Sequence, residues 1–332
     1  MKRMRLLLLL ILTLAPPLFS APARAKSKHV QAAVRILRIT YHGWPGSFVM
    51  SNGKADVVIV PAVGRVMQFH FADDSDGPLF ENRAMDSKTP DPNSKDWGNF
   101  GGDKSWPSPQ ADWGKITGRE WPPPVAFDSM PVEAHVASES IDLISSVDPA
   151  YGIRETRHLQ LERTKPVLII TTTYEKVQGD PVKVGVWVIT QLRDPQRAFM
   201  VLPAKSQYPE GYNKQMEVLP KDLKVEGRLV SLNRDPKNSA KIGSDAGTLI
   251  WMDEKYVVRI DSPRVANAEY PDQGSSAEIY TNADPLPYIE LEMLGPLSPM
   301  KVGDRIERTN VYRLMRRKAK EPKAEIKKMG IH

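Results

Sequence analysis

Residues 288–296, Tyr-Ile-Glu-Leu-Glu-Met-Leu-Gly-Pro, contain the pattern that decides the fold. Apolar and acidic residues alternate along this stretch, and successive side chains of a β-strand point to opposite faces of a sheet. Ile289, Leu291 and Met293 are therefore expected to face a core, whereas Glu290 and Glu292 share the other face. The pattern predicts a sheet with one side covered by a second layer.

Short strands separated by turn residues continue in both directions from this stretch. Residues 48–50 and 57–60 flank Asn52-Gly53, which predicts a hairpin with positive φ at both turn residues. The other predicted strands are 34–41, 66–71, 132–137, 141–147, 153–161, 167–174, 182–192, 248–252, 256–260, 277–280 and 305–314. Amphipathic helical stretches of three turns are nearly absent, so we predict an all-β sandwich or barrel.

The N-terminal residues predict export. Lys2, Arg3 and Arg5 precede an apolar run over residues 6–14, and Ala23-Arg24-Ala25 matches a small-x-small cleavage site. We therefore predict a signal peptide over 1–25, cleaved after Ala25, and a periplasmic or secreted protein. An uncleaved N-terminal anchor is the alternative. The run is shorter than the roughly 20 residues that span a bilayer, and no stable membrane span is expected after cleavage.

Charge and composition restrict the remaining chain, which we predict to be a single domain over 26–315 with a charged tail over 316–332. The whole chain carries +6, but residues 26–310 carry −4, so we expect no nucleic-acid partner. The chain contains no cysteine, which excludes thiol catalysis and thiolate metal sites. Its six histidines show no metal-ligand spacing. We expect no cofactor, no metal and a monomer.

Residues 82–130 form a long segment with little strand pattern and four of the seven tryptophans. Trp106 and Trp113 offer flat apolar faces, while Asp103, Lys104 and Gln110 offer polar groups. Because a sugar has an apolar C–H face and a rim of hydroxyls, the segment is a candidate carbohydrate-binding loop. The alternative is that the tryptophans cap one end of the sandwich.

Glu290 and Glu292 are the candidate catalytic pair. Two carboxylates on one face of a strand repel each other and can separate their pKa values, which suits proton transfer. The alternative is that they occupy the solvent face of an edge strand.

Three stretches resemble the galactose mutarotase-like (aldose 1-epimerase-like) superfamily over about residues 35–315. Residues 101–107 resemble the Gly-rich, Trp-Pro loop of hexose-6-phosphate mutarotase relatives, 291–296 resemble the late strand with the general-base glutamate, and 152–158 resemble a middle strand. The most similar branch is a group of bacterial domains of unknown function. The resemblance implies a large two-sheet antiparallel β-sandwich.

The resemblance also implies a carbohydrate ligand, with Glu292 as general base. The histidine that protonates the ring oxygen would fall on 186–192, where Trp187 and Gln191 occur instead. His158 or His70 is the candidate replacement, and Arg65 and Lys104 are candidate cationic ligand contacts. A sugar epimerase or related enzyme, a non-catalytic carbohydrate-binding module and a cell-envelope protein-binding scaffold all stay open.

Overall fold

The computed structural model describes residues 33–331, and the predicted signal peptide lies outside this range. In chain order the strands are β1 (Arg35–Tyr41), β2 (Trp44–Ser51), β3 (Ala55–Val60), β4 (Arg65–Phe71), β5 (Asp103–Ser108), β6 (Glu133–Val136), β7 (Ser140–Val147), β8 (Ile153–Leu161), β9 (Val167–Lys176), β10 (Val182–Arg193), β11 (Arg197–Val201), β12 (Asn213–Lys214), β13 (Lys221–Glu226), β14 (Leu229–Asn233), β15 (Ala240–Ser244), β16 (Thr248–Met252), β17 (Tyr256–Asp261), β18 (Ala277–Thr281), β19 (Tyr288–Leu294), β20 (Ser298–Met300) and β21 (Arg305–Arg316). The α-helices are α1 (Trp113–Thr117), α2 (Val125–Asp128) and α3 (Pro322–Lys328).

The strands form two large antiparallel sheets, which confirms the all-β sandwich. The eleven-stranded sheet has the order β1-β2-β3-β4-β5-β10-β19-β18-β15-β12, with β20 paired to β10. The ten-stranded sheet has the order β13-β14-β11-β16-β17-β21-β9-β8-β7-β6. None of the described helices is long and apolar enough to cross a membrane.

Strand β19 divides its side chains between the core and a cavity, as its alternation predicts. Ile289, Leu291 and Met293 are buried in the apolar core between the sheets. Glu290 and Glu292 are also buried but face away from the second sheet. Because β19 pairs with β10 on one side and β18 on the other, the alternative of a solvent-facing edge strand is wrong.

The hairpin between β2 and β3 forms where it was predicted, but with a different turn. Gly53 has φ 74°, while Asn52 is not among the residues with positive φ. The Asn52 Oδ1 atom instead accepts hydrogen bonds of 2.8 Å from the backbone N–H groups of Lys54 and Ala55. The asparagine side chain thus accepts the backbone N–H groups of the turn. Asparagine can stabilise a turn in this way as well as by adopting a positive φ.

The segment 82–130 contains a central strand, so the prediction that it has little strand structure is wrong for residues 103–108. Strand β5 pairs along β10, and all six of its residues are buried. Gly101 and Gly102 precede it with φ 91° and 73°. A Cβ atom on Gly101 would lie 2.2 Å from the Phe80 carbonyl oxygen, so this close approach requires glycine.

The C-terminal residues pack against the ten-stranded sheet. Strand β21 continues to Arg316, and α3 buries Ile326 against Phe199, Ile250 and Val257. The Glu325 carboxylate accepts hydrogen bonds from the backbone N–H groups at 318 and 319. The charged segment 316–332 therefore contains apolar residues, Ile326 with Met329 and Ile331, that pack against the sheet.

Candidate functional site

A cavity of about 520 Å³ lies on the face of the eleven-stranded sheet that points away from the ten-stranded sheet. Its lining combines aromatic rings with carboxylate, amine and amide groups. The lining residues are Trp97, Trp106, Gln110, Trp121, Trp187, Gln215, Met216, Lys241, Asp272, Tyr280, Asn282, Tyr288, Glu290 and Glu292. Five residues singled out from the sequence meet here: Gln110, Trp106, Trp187, Glu290 and Glu292.

Tryptophans form the aromatic wall of the cavity. The Trp106 ring is central, with its centroid 5.8 Å from that of Trp97, 5.9 Å from that of Trp121 and 5.4 Å from that of Trp187. These pairs meet edge to face, the geometry that aromatic rings prefer. Trp121 is 43% exposed and marks the outer end of the wall.

Asp128 fixes the aromatic wall from behind. Its carboxylate accepts hydrogen bonds from Trp106 Nε1 at 2.9 Å and from Trp97 Nε1 at 2.8 Å. Arg65 neutralises it through a 2.6 Å ion pair and also donates to the Gly101 carbonyl oxygen. Arg65 is 1% exposed and does not line the cavity, so the structure does not support its prediction as a ligand contact.

The floor of the cavity is a network of carboxylates around one amine. Glu292 accepts hydrogen bonds from Trp187 Nε1 at 2.7 Å and from Lys241 Nζ at 2.9 Å. The same amine lies 2.6 Å from the carboxylate of Glu278, which is directly opposite Glu292 in the register of β18 and β19. Glu290 accepts a 2.9 Å hydrogen bond from Gln191 Nε2.

The electrostatics of this floor are set by burial and by the shared amine. Burial raises the pKa of Glu290 and of Glu278, and Lys104 and Lys241 respectively oppose the rise. Burial alone would lower the pKa of Lys241, but its two carboxylate neighbours outweigh that effect and raise it. Glu278 and Glu290 therefore retain their protons to a higher pH than a solvated carboxyl group does.

Lys104 lies behind the wall and does not line the cavity. Its Nζ atom is 3.5 Å from Glu290 Oε1 and 4.8 Å from the centroid of the Trp106 ring. The residue is 1% exposed, and burial lowers the pKa of its amine. Lys104 therefore acts on the site through Glu290, and its prediction as a direct ligand contact is not supported.

Asp103 and Trp113 also support the cavity from behind and do not line it. Asp103 points into the sandwich, where it pairs with Arg157 of the second sheet and accepts from Tyr312 at 2.7 Å. Trp113 is 0% exposed and donates from Nε1 to the Pro107 carbonyl oxygen. These two residues hold β5 and the tryptophans in place, and neither lines the cavity.

The two candidate histidines lie away from the cavity. His158 is on β8 of the opposite sheet, where it pairs with Asp142 near the surface. His70 Nδ1 contacts the carbonyl oxygen of the next residue. Among the described residues that line the cavity there is no histidine, and Lys241 and Trp187 are the hydrogen-bond donors beside Glu292.

Several residues of the cavity, and Glu278 behind it, were not predicted. Glu278 alternates with the core residues Ala277 and Ile279, a pattern already visible in the predicted strand 277–280. Lys241 lies on β15, a five-residue strand with too little alternation to be recognised. Asp272 lies in a loop, where its φ is 51°, and no pattern in the sequence marks it as a site residue.

The fold is similar to that of solved proteins described as galactose mutarotase-like. A galactose mutarotase-like protein from Lactobacillus casei aligns with 81% of this chain and 100% of its own, at 10% identity and a TM-score of 0.56. A galactose mutarotase-like protein from Clostridium acetobutylicum aligns with 86% of this chain and 99% of its own, at 10% identity and a TM-score of 0.56.

A galactose mutarotase related enzyme from Lactobacillus acidophilus aligns with 83% of this chain and 98% of its own, at 9% identity and a TM-score of 0.51. No protein-family model and no curated protein sequence matches the chain. These similarities establish the architecture, and the chemistry has to be argued from the cavity itself.

Proposed function

We propose that the chain is an exported carbohydrate-recognising protein whose ligand occupies the cavity above β10, β18 and β19. The observation that carries the proposal is the joining of an aromatic wall to a hydrogen-bonding floor in one cavity. The ring surfaces of Trp97 and Trp121 that border the cavity suit the C–H face of a pyranose, and Trp106, 4% exposed, packs against both rings. Glu290 and Gln110 offer acceptors and a donor for its hydroxyls.

The cavity favours recognition over the alternative of a protein-binding scaffold. The rings line a concave cavity: Trp106 and Trp187 are 4% and 3% exposed, and Trp121, at 43% exposed, forms the outer end of the wall. The volume of about 520 Å³ is in the range of small-molecule sites.

Proton transfer is the second candidate activity, and one observation favours Glu290 over Glu292 as its base. Glu292 Oε2 is already bonded to Trp187 and Lys241. Glu290 borders the cavity with Oε1 bonded to Gln191, and no hydrogen bond from the described residues reaches its Oε2. An epimerase would use that free oxygen to take the proton of an anomeric hydroxyl.

Tryptophan fluorescence tests the recognition, since ligand contact with the wall alters ring emission. A panel of neutral and charged oligosaccharides is titrated into the protein and into Trp106→Ala, with Trp44→Phe as a matched control outside the cavity. Quenching is expected for the native chain and the control and is expected to be lost in Trp106→Ala. Equal quenching in all three would contradict the assignment.

Exchange NMR of the anomers separates catalysis from binding. An epimerase is expected to accelerate anomer interconversion, with the rate lost in Glu290→Gln and reduced in Glu292→Gln. If a sugar binds and neither substitution alters the interconversion, the site recognises carbohydrate without catalysis.

The proposed export depends on the predicted signal peptide, residues 1–25. Mass spectrometry of protein from the periplasm of an expressing bacterium tests it. The expected mature N-terminus is Lys26. A full-length chain retained in the membrane fraction would indicate an anchor instead.

A further inference from the structure

We infer that the cavity selects a saccharide that carries an ammonium group, such as a β-1,4-linked glucosamine oligomer, over neutral and acidic saccharides. The inference rests on the proposed carbohydrate recognition and adds the class of ligand. Three features of residues 33–331 carry it: an excess of carboxyl groups over amines, a carboxylate oxygen of Glu290 at the cavity surface without a hydrogen bond, and no free cation in the lining.

The cavity floor has more carboxyl groups than amines. Asp272, Glu290 and Glu292 border the cavity, and Glu278 lies behind Lys241. Against these four carboxyls stand the amines of Lys241 and Lys104. A ligand ammonium group favours the ionised form of these carboxyls and is compensated by it, whereas a ligand carboxylate or phosphate meets no unpaired cation among the described lining residues.

Neither amine is free for a ligand, because one is paired within the protein and the other is buried behind the wall. Lys241 Nζ is shared between Glu278 and Glu292 at 2.6 Å and 2.9 Å, above the Trp187 ring. Lys104 is enclosed between Glu290 and the rings of the wall. Among the described lining residues there is no arginine, the side chain best suited to bind a carboxylate or phosphate.

Glu290 supplies a specific acceptor for a ligand cation. The residue is 7% exposed, and its exposed part borders the cavity. Its Oε1 atom is bonded to Gln191, while no hydrogen bond from residues 33–331 reaches Oε2. The aromatic faces of Trp97 and Trp106 next to it also attract cations, as their contacts with Lys104 show.

Isothermal titration with three tetrasaccharides tests the inference: glucosamine, N-acetylglucosamine and galacturonic acid. A charged donor hydrogen-bonds to a buried carboxylate more strongly than a neutral one, so glucosamine is expected to bind about tenfold tighter than its N-acetyl form. Galacturonate is expected to bind most weakly. Glu290→Gln is expected to reduce the tenfold preference to about twofold.

Two further variants provide an alternative to Glu290→Gln and a control outside the cavity. Asp272→Asn removes a second cavity carboxylate and covers the case that Glu290→Gln does not fold, while Glu307→Gln alters an exposed carboxylate outside the cavity and should retain the full preference. Tighter binding of the N-acetyl or galacturonate oligomer would overturn the ammonium selectivity and leave carbohydrate recognition intact. No binding of any oligosaccharide would overturn both.

Discussion

Replacement of Lys241 should lower the stability of the fold substantially, because its amine lies between two facing carboxylates. The side chain is 17% exposed, while Glu278 and Glu292 are 0% and 1% exposed. Replacing Lys241 by methionine leaves both carboxylates without their cation. Removing one partner of a buried ion pair costs about 3–5 kcal/mol, and we expect a loss of that size in the free energy of unfolding at pH 8.

The pH dependence of this loss has a definite sign. Without the amine, the pKa of Glu278, already raised by burial, rises further, so the folded variant binds a proton that the unfolded chain releases above the ordinary glutamate pKa. Stability of Lys241→Met therefore falls more steeply with rising pH than that of the native chain. The difference between the two proteins should be small near pH 4 and largest at pH 8.

Urea denaturation at pH 4, 6 and 8, at constant salt, measures these free energies. Lys183→Met is the matched control, since Lys183 pairs with Glu269 at the surface with 49% and 61% exposure. Such pairs contribute about 0–1 kcal/mol. The double variant Lys241→Met/Glu278→Gln should recover most of the stability. A loss below about 1 kcal/mol that is the same at all three pH values would refute the reasoning.

Two further predictions concern the core and the C-terminal helix. Burial raises the pKa of Glu155 to about 7, so its contribution to stability falls as pH rises from the ordinary glutamate value through 7. Between pH 4 and 8, the free energy of unfolding measured with urea should fall by about 3 kcal/mol less for Glu155→Gln than for the native chain. The same pH dependence in both proteins would show that the pKa of Glu155 is not raised. Ile326→Ala should cost about 2–5 kcal/mol because the side chain is 0% exposed, whereas the exposed Lys327→Ala should cost under about 0.5 kcal/mol. Equal thermal unfolding midpoints for these two variants would show that α3 is not docked.

Much of the fold was predictable because it depends on local alternation. The predicted strands 153–161, 248–252 and 288–294 coincide with β8, β16 and β19. Strand β5 was missed because its residues Asp103, Lys104 and Pro107 are poor strand formers, and partners distant in the chain bury them. Tertiary contacts with β10 override the local preference there.

The site was predictable in part for the same reason. Glu290 lies on a predicted strand whose alternation assigns it to the cavity face. Trp106 was recognised by its residue type, because β5 was missed, and Trp187 by its place in the family resemblance. Arg65 and Trp113 have the residue types of ligand contacts, but burial behind the wall gives them structural positions. Burial depends on contacts between residues distant in the chain, such as Arg65 with Asp128, and a single sequence does not contain that information.

A crystal structure with a bound saccharide tests the central claim most directly. The crystals are soaked with the oligosaccharide that quenches tryptophan fluorescence most strongly in the titrations. We predict one sugar ring against Trp97 and Trp121, with a polar group within hydrogen-bond distance of Glu290 Oε2. A saccharide seated elsewhere, for example in the cleft beside Tyr208 and Arg228, with the cavity empty, would contradict the account.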